Sequence, residues 1–203
     1  MQAPTATSDT SDRILDVAEA LVQTRGFNAF SYADVADALN VTKASLHYHF
    51  PTKAKLGERL IERYKGSFLS ALDQIDRNYD DAARKLRAYA GIYISVLENK
   101  RMCLCGMLAA DYETLPQAMR EGLHRFFEAN EAWLVDVLAR GREQRQLVYT
   151  GPPIETARVL VALLEGAMLI ARSHGDPSRL QCAANRVLAD LCLSATEPAQ
   201  ATV

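Results

Sequence analysis

Residues 31–53 read SYADVADALNVTKASLHYHFPTK, and this stretch decides the fold. Asn40 divides it into two short helical segments, and asparagine is one of the few residues other than glycine that accept a left-handed backbone. Ala36, four residues before the turn, is small enough for two helices to cross closely. The apolar Val35 and Leu46 are spaced to pack both segments on a preceding helix. The stretch therefore predicts a helix-turn-helix unit.

Hydroxyl side chains mark where its helices begin. Ser31 followed by Asp34 resembles a capping box, with aspartate in place of the preferred glutamate. Thr42 is placed to cap the second short helix, which runs from about residue 43 to 49 and cannot continue past Pro51. Thr52 is placed to cap a long helix over residues 53–79.

One more helix is predicted ahead of the unit, over about residues 11–25. Gly26 ends this helix, and one face of it carries an apolar stripe: Ile14, Val17, Ala18, Leu21 and Val22. Residues 1–10 are small and polar and predict a disordered arm, and residues 195–203 predict a disordered tail.

The remaining sequence also has helical periodicity, so the chain is predicted to be all-α with about nine helices. The last five are expected over residues 81–98, 102–112, 116–145, 153–173 and 177–194. The predicted domains are a three-helix, helix-turn-helix DNA-binding head at 11–52 and a helical ligand-binding and dimerisation body at 53–194.

Composition narrows the function classes. The 203 residues carry a formal net charge of −2, so nucleic acid could be bound only by a local basic patch of the surface. Such a patch is present, because residues 43–65 contain six lysines and arginines and two glutamates, a local balance of +4. Four cysteines do not make a disulfide scaffold, and the apolar stretch at 159–171 is too short to span a bilayer. A cytoplasmic protein with reduced thiols is expected.

Four motifs resemble the DNA-binding head of the TetR/AcrR family of transcriptional regulators. They are RIL at 13–15, RGF at 25–27, SYADVA at 31–36 and VTKASLHYHFPTK at 41–53, and the match extends over about residues 12–60. The resemblance implies a homodimeric repressor that a ligand releases from double-stranded operator DNA.

The resemblance also implies DNA contacts for eight residues: Thr42 and Lys53 on phosphate, Lys43, Ala44 and Ser45 nearest the base edges, and His47, Tyr48 and His49 on the backbone. His47 departs from the pattern, because the family commonly has tyrosine there, and its contact would be sensitive to pH. If Lys53 contacts a phosphate, its replacement should lower the salt dependence of binding by about one unit.

The last two helices predict the dimer surface. Residues 159–171 are apolar nearly all round, which indicates a helix buried on more than one side, and residues 177–194 carry an apolar stripe. We interpret the pair as a two-fold surface that forms a four-helix bundle with its copy. The alternative is that both helices are buried within a monomeric bundle.

The middle helices hold candidates for a small organic effector: Tyr93, Cys103, Met107, Tyr112, His124 and Phe127. Aromatic residues and methionine at helical spacing are also typical of an ordinary core. The segment around Cys103 resembles a cysteine-bearing sixth helix of family members that respond to electrophiles or oxidants, and the alternative is an inert buried thiol. Cys103 and Cys105 lack zinc-site spacing, so neither a metal nor a cofactor is predicted.

Enzyme interpretations are weak. Glu121 and His124 form one Glu-x-x-His unit, whereas di-iron bundles need two. Catalytic serine, zinc-protease, phosphate-loop and dinucleotide motifs are absent from the sequence, so the chain is not expected to be an enzyme. The remaining alternative is a helical small-molecule-binding or adaptor protein without operator binding.

Overall fold

The computed structural model describes residues 6–193, and within that range it contains nine α-helices and one short 3-10 turn. The helices are α1 Ala6–Arg25, α2 Tyr32–Leu39, α3 Lys43–His49, α4 Lys53–Asn78, α5 Ala82–Glu98, α6 Leu104–Ala110, α7 Gln117–Glu143, α8 Pro153–Ser173 and α9 Ser178–Leu193. The 3-10 turn is Tyr112–Thr114. The predicted all-α class is confirmed.

The described chain forms two compact units. The first contains residues up to Ser67 together with Arg101–Phe126, and the second contains Phe68–Lys100 together with residues from Phe127 onward. This division differs from the predicted boundary between residues 52 and 53. The physical reason is that α6 packs against α1, so α6 belongs to the same unit as the helix-turn-helix head.

The first unit is organised around α1. Its stripe residues Ile14, Ala18 and Val22 are fully buried, and α1 contacts both α2 and α6. Gly26 ends α1 with a positive φ of 93°, a backbone conformation that residues other than glycine rarely adopt. Its N–H donates to the carbonyl of Val22 at 2.9 Å. The chain then turns toward α2 as the sequence predicts.

The second unit is built from α5, α8 and α9, which pack on one another. From α8, Leu160, Leu164 and Met168 are buried. From α9, Leu180 and Ala184 are buried against them, following the predicted apolar stripe. Small residues such as Ala184 let these two helices approach closely.

Some helix bounds differ from the prediction. Helix α1 begins at Ala6 rather than residue 11, so residues 6–10 of the expected disordered arm are helical. Helix α6 is shorter than residues 102–112, because Cys103 has an extended backbone and the chain tightens into the 3-10 turn after Asp111. Residues 1–5 of the arm and the predicted tail lie outside the described residues.

Among the helices of the described residues, none combines the length and the apolar character needed to cross a bilayer.

Candidate functional site

The turn between α2 and α3 has the geometry that its sequence predicts. Asn40 is left-handed, with φ 54° and ψ 48°, and the N–H of Val41 donates to the carbonyl of Ala36 at 3.0 Å. The capping box is present, because the Asp34 carboxylate accepts the N–H of Ser31 at 2.7 Å while the Ser31 hydroxyl accepts from the first turn of α2. These hydrogen bonds from Ser31 hold the pKa of Asp34 below its usual value.

Helix α3 presents one polar face and one apolar anchor. The hydroxyl of Thr42 accepts the N–H of Ser45 at 3.2 Å, which caps the helix as predicted, and Leu46 is fully buried beneath it. On the outer face Tyr48 is 78% exposed. The other predicted DNA-contacting residues of this segment are exposed (Thr42, Lys43, Ala44 and His47) or half-buried (Ser45 and His49). No acid lies on α3, so its outer face would not repel phosphate.

A buried tyrosine holds α2 and α3 together and orients His47. The hydroxyl of Tyr32 donates to the carbonyl of Phe50 at 2.7 Å, and burial raises the pKa of Tyr32 to about 12. The His47 ring lies 4.8 Å from the Tyr32 ring, and its Nδ1 is 3.2 Å from the carbonyl oxygen of Pro51. Because a carbonyl only accepts, Nδ1 carries the proton there, and only a protonated imidazole can also donate from Nε2 to a phosphate.

The ammonium of Lys53 has partners inside the protein, and its predicted phosphate contact stays a prediction. Its ammonium donates to the carbonyl oxygen of Phe27 at 2.6 Å and to that of Phe30, and it lies 4.6 and 4.4 Å from the centres of their rings. Burial lowers the pKa of Lys53, while the negative charges of Asp111 and Asp34 raise it in part. At least two of its three donors are therefore used inside the protein.

Three of the six basic residues in the patch predicted at 43–65 form ion pairs within the protein. Lys55 pairs with Glu58 at 2.7 Å and Arg59 pairs with Glu62 at 3.1 Å. Arg63 donates to two acids of α1, at 2.8 Å each: Asp16 and Glu19. The sequence count of +4 already includes Glu58 and Glu62, but it leaves out Asp16 and Glu19, because these two acids lie on α1. Among the described residues, Lys43 has no ion-pair partner, so it carries the charge of the recognition face.

Three sulfur-containing residues lie on α6 or at the residue just before it. Cys103 and Cys105 are 2% and 0% exposed, and Met107 is half-buried. A thiol this deeply buried is reached by a reagent only when the structure around it opens. No group of three or more histidine, cysteine or acidic side chains in the described part of the chain is arranged to hold a metal ion.

Tyr112 and His124 come together at the surface of the first unit. Their rings stack at 5.9 Å, and the Tyr112 hydroxyl is 3.2 Å from Nε2 of His124. The Arg120 guanidinium covers the Tyr112 ring at 5.0 Å. Because His124 is exposed and Tyr112 half-exposed, this pair lies outside any enclosed site.

Tyr93 belongs to a buried polar triangle in the second unit. The hydroxyl of Tyr89 donates to the Asn130 side-chain oxygen at 2.9 Å, the Asn130 amide donates to the Tyr93 hydroxyl at 3.1 Å, and the two hydroxyls are 3.2 Å apart. All three residues are at most 2% exposed, and Trp133 stacks on Tyr89 at 5.6 Å. Asn130 had no predicted role, whereas Tyr89 and Trp133 belong to the aromatic sequence cluster from which the effector candidates were drawn. The available signal was Asn130, a polar residue within the buried stripe of α7.

Phe127, the remaining predicted effector residue, is half-buried and also belongs to the second unit, whereas Cys103, Met107, Tyr112 and His124 belong to the first. The second unit also has a cavity of about 320 Å³. Its wall includes Trp133 and five charged side chains: Asp76, Asp80, Lys85, Asp136 and Arg140. None of the six predicted effector residues lines this cavity.

The carboxylate of Asp76 is held in place by two side chains of that cavity. Its carboxylate accepts from the Lys85 ammonium at 2.6 Å and from the Trp133 indole N–H at 2.8 Å. Burial would raise the pKa of Asp76, but these two hydrogen bonds hold it below its usual value.

Comparison with known proteins gives a consistent result along the chain. Residues 14–60 match the family profile of bacterial regulatory proteins of the tetR family, and residues 82–187 match that of the tetracyclin repressor-like C-terminal domain. A TetR-family transcriptional regulator from Agrobacterium tumefaciens superposes with a TM-score of 0.89 at 31% identity, over 92% of this chain and 99% of that one. A TetR transcriptional regulator from Legionella pneumophila gives 0.83 and 31%, over 94% and 100%.

The HTH-type transcriptional repressor NemR of Escherichia coli K12 is 28% identical over 170 residues, which cover 81% of this chain and 84% of NemR. The crystal structure of the reduced form of E. coli NemR gives a TM-score of 0.78 at 25% identity, over 91% of this chain and 98% of that one.

Proposed function

Because the chain belongs to the tetR family of bacterial regulatory proteins, we propose that it is a homodimeric transcriptional repressor, acting in the cytoplasm, that binds operator DNA through α3 and is released by a small organic effector. The family resemblance of residues 13–53 is thereby confirmed. Members of this family are transcriptional regulators rather than enzymes.

The outer face of α3 is the observation that carries this proposal. The cap at Thr42 and the left-handed turn at Asn40 fix α3 against α2, while Leu46 anchors it from below. That leaves Lys43, at the N-terminal end that reaches the bases in such units, and Tyr48, near the C-terminal end, exposed on a helix without acids.

Base recognition by this helix is proposed to be modest. Ala44 and Ser45 cannot make the bidentate contacts that arginine or asparagine make with bases. Lys43 can reach a guanine edge or a phosphate. Part of the operator specificity is therefore assigned to the shape and deformability of the DNA.

Helices α8 and α9 are the proposed dimer surface. On α8, Val159, Leu169 and Ile170 are 56%, 51% and 55% exposed, although the opposite face of the same helix is buried in the second unit. Gly166, between them, has open space where a side chain would be. An apolar helix face of this kind fits an isologous contact with a second copy, which would present two heads to half-sites about one DNA turn apart.

The second unit is the proposed effector site. The triangle of Tyr89, Tyr93 and Asn130 is surrounded by aromatic rings, and a buried polar group is costly unless it is hydrogen-bonded. An aromatic or aliphatic effector whose polar group both donates and accepts, such as a hydroxyl, can enter one side of this triangle and satisfy both partners.

The test is a fluorescence-anisotropy titration with the DNA upstream of the chain's own gene, in about 50 and 200 mM salt. Tyr48→Ala should raise Kd by about tenfold or more, because it removes the most exposed contact of α3. Tyr79→Ala, the same change at another exposed tyrosine, is the matched control and should leave Kd unchanged.

Absence of salt-sensitive binding of the unaltered protein to any duplex, including this promoter, would contradict the proposal. If the protein binds a small molecule but shows no DNA binding, the result would instead support the alternative of a small-molecule-binding or adaptor protein.

A further inference from the structure

The loop between α1 and α2, residues 26–30, is held by charged side chains from two helices that lie outside the helix-turn-helix pair. Lys53 of α4 hydrogen-bonds to its carbonyl groups, and Asp111, at the end of α6, hydrogen-bonds to its N–H groups. The loop is the only covalent link between α1 and α2, so its position sets where α2 and α3 lie relative to α1.

Asp111 is positioned as an acceptor for this loop. Its Oδ2 accepts the N–H of Phe27 at 2.9 Å and that of Asn28 at 3.4 Å. Three residues later, the hydroxyl of Thr114 accepts the Asn28 side-chain amide at 2.8 Å. The end of α6 and the 3-10 turn therefore contact the loop at three points, all of them directional.

Lys53 acts on one of the same peptide groups from the carbonyl side. The peptide group between Phe27 and Asn28 has its N–H on the Asp111 carboxylate at 3.4 Å and its carbonyl on the Lys53 ammonium at 2.6 Å. The attraction between the two charged groups opposes the effect of burial on the pKa of Lys53. A peptide group held between opposite charges is polarised, which strengthens both hydrogen bonds.

Two further contacts place α6 directly against the head. The backbone of Gly26 approaches α6 so closely that an added Cβ would lie 3.4 Å from Oδ2 of Asp111 and 3.7 Å from Cε of Met107. At the other end of α6, the N–H of Met102 donates to the carbonyl of Gln23 at 3.1 Å. The last turn of α1 and the loop are thus fastened to both ends of α6.

We propose that Asp111 is the positioning residue through which α6 sets the orientation of the helix-turn-helix head, so that a displacement of α6 changes DNA binding. This inference rests on the proposed DNA-binding function. It assigns part of the regulatory signal to α6, which carries Cys103 and Met107, in addition to any movement of α4. Since α4 contributes Lys53 to the same loop, both helices act on residues 26–30.

Reciprocity allows a test without an identified effector. If α6 and the head are coupled through Asp111, DNA bound to the head must alter the opening equilibrium of α6. We would measure amide hydrogen exchange of the full-length protein with and without the promoter DNA fragment that serves as the probe. In the unaltered protein, DNA should slow exchange in Leu104–Ala110 by about fivefold, at the low end of known couplings.

Three variants separate positioning from structural support. Asp111→Ala should speed exchange of the Phe27 and Asn28 amides and abolish the response of α6 to DNA, while the variant still binds the fragment. Asp111→Asn keeps an acceptor oxygen without the charge, so it should retain part of the response. Glu113→Gln removes a neighbouring charge that does not touch the loop and is the matched control, which should behave as the unaltered protein.

Each outcome decides the inference. An undiminished α6 response in Asp111→Ala, with DNA bound, would overturn it, and so would a response lost equally in Glu113→Gln. Should Asp111→Ala fail to fold, the decision passes to Asp111→Asn, whose response must lie below that of the unaltered protein. Failure of the unaltered protein to bind DNA would overturn the proposed function instead, because no bound DNA would then be present to change the hydrogen exchange of α6.

Discussion

Replacing Lys53 by methionine distinguishes a lysine that organises the head from one that contacts DNA. The ammonium of Lys53 donates to the carbonyl groups of Phe27 and Phe30 and lies over both rings. Methionine keeps most of the side-chain length and its packing on the rings, but it removes the charge and all three donors. The two carbonyl groups, which belong to residues 6% and 4% exposed, lose their partner.

The size of the effect follows from these contacts. A hydrogen bond from a charged donor contributes about 1.5–3 kcal/mol, and a cation–π contact at a partly exposed site contributes about 0.5–1 kcal/mol. Two of each give roughly 4–8 kcal/mol, from which the released cost of burying the ammonium has to be subtracted. We expect Lys53→Met to lower the free energy of unfolding by about 2–4 kcal/mol.

Denaturant unfolding and salt-dependent DNA binding provide the two measurements. Lys43→Met, the same change on the exposed face of α3, should leave stability unchanged and reduce the slope of log K against log salt by about 0.9. Lys53→Met should change that slope by less than about half as much. If Lys53→Met instead retained full stability and lost a whole unit of slope, Lys53 would be a phosphate contact and the reasoning about the loop would fail.

Other predictions concern stability and assembly. Tyr32→Phe should lower the free energy of unfolding by about 1 kcal/mol at pH 7. An unfolded tyrosine ionises near pH 10, but folding raises the pKa of Tyr32 to about 12. Stability is therefore lost as the pH rises through this window, and alkaline unfolding followed by circular dichroism should be less steep in Tyr32→Phe; an equally steep curve would contradict this. Gly141→Ala puts a Cβ 2.6 and 2.7 Å from its neighbours and should cost about 1–3 kcal/mol in urea unfolding. Gly91→Ala, which meets no atom within 4 Å, should gain up to about 1 kcal/mol, and the reverse order would refute the packing argument. Ile170→Glu should shift sedimentation toward the 22.4 kDa single chain, and an unchanged dimer would place the interface elsewhere.

Local backbone chemistry made the helix-turn-helix unit predictable. The hydroxyl caps at Ser31 and Thr42, the left-handed turn at Asn40 and the end of α1 at Gly26 all depend on residues within a few positions of each other. Such signals are written in short stretches of sequence, and the structure confirms each of them. The order and approximate bounds of the later helices followed from apolar spacing for the same reason.

Long-range partners were not predictable. Residues 43–65 counted as a basic patch because sequence spacing does not show that Arg63 reaches Asp16 and Glu19 on α1, 47 and 44 positions away. Asp111 had no assigned role, since the loop it binds lies 84 positions earlier. The effector set had the same weakness, as aromatic residues close in sequence were grouped although Tyr93 and Tyr112 belong to different units.

These long-range pairs have one physical consequence for regulation. A head fixed to α4 and α6 only by apolar packing would tolerate small shifts of either helix, because dispersion contacts change gradually with distance. Hydrogen bonds to the charged groups of Lys53 and Asp111 are directional and weaken steeply when misaligned. The loop at residues 26–30 therefore responds to a displacement of α6 by breaking or keeping a small set of contacts. Two discrete arrangements of that kind are what a repressor needs, because a coupling of about 1–3 kcal/mol between effector and DNA is enough to change operator occupancy.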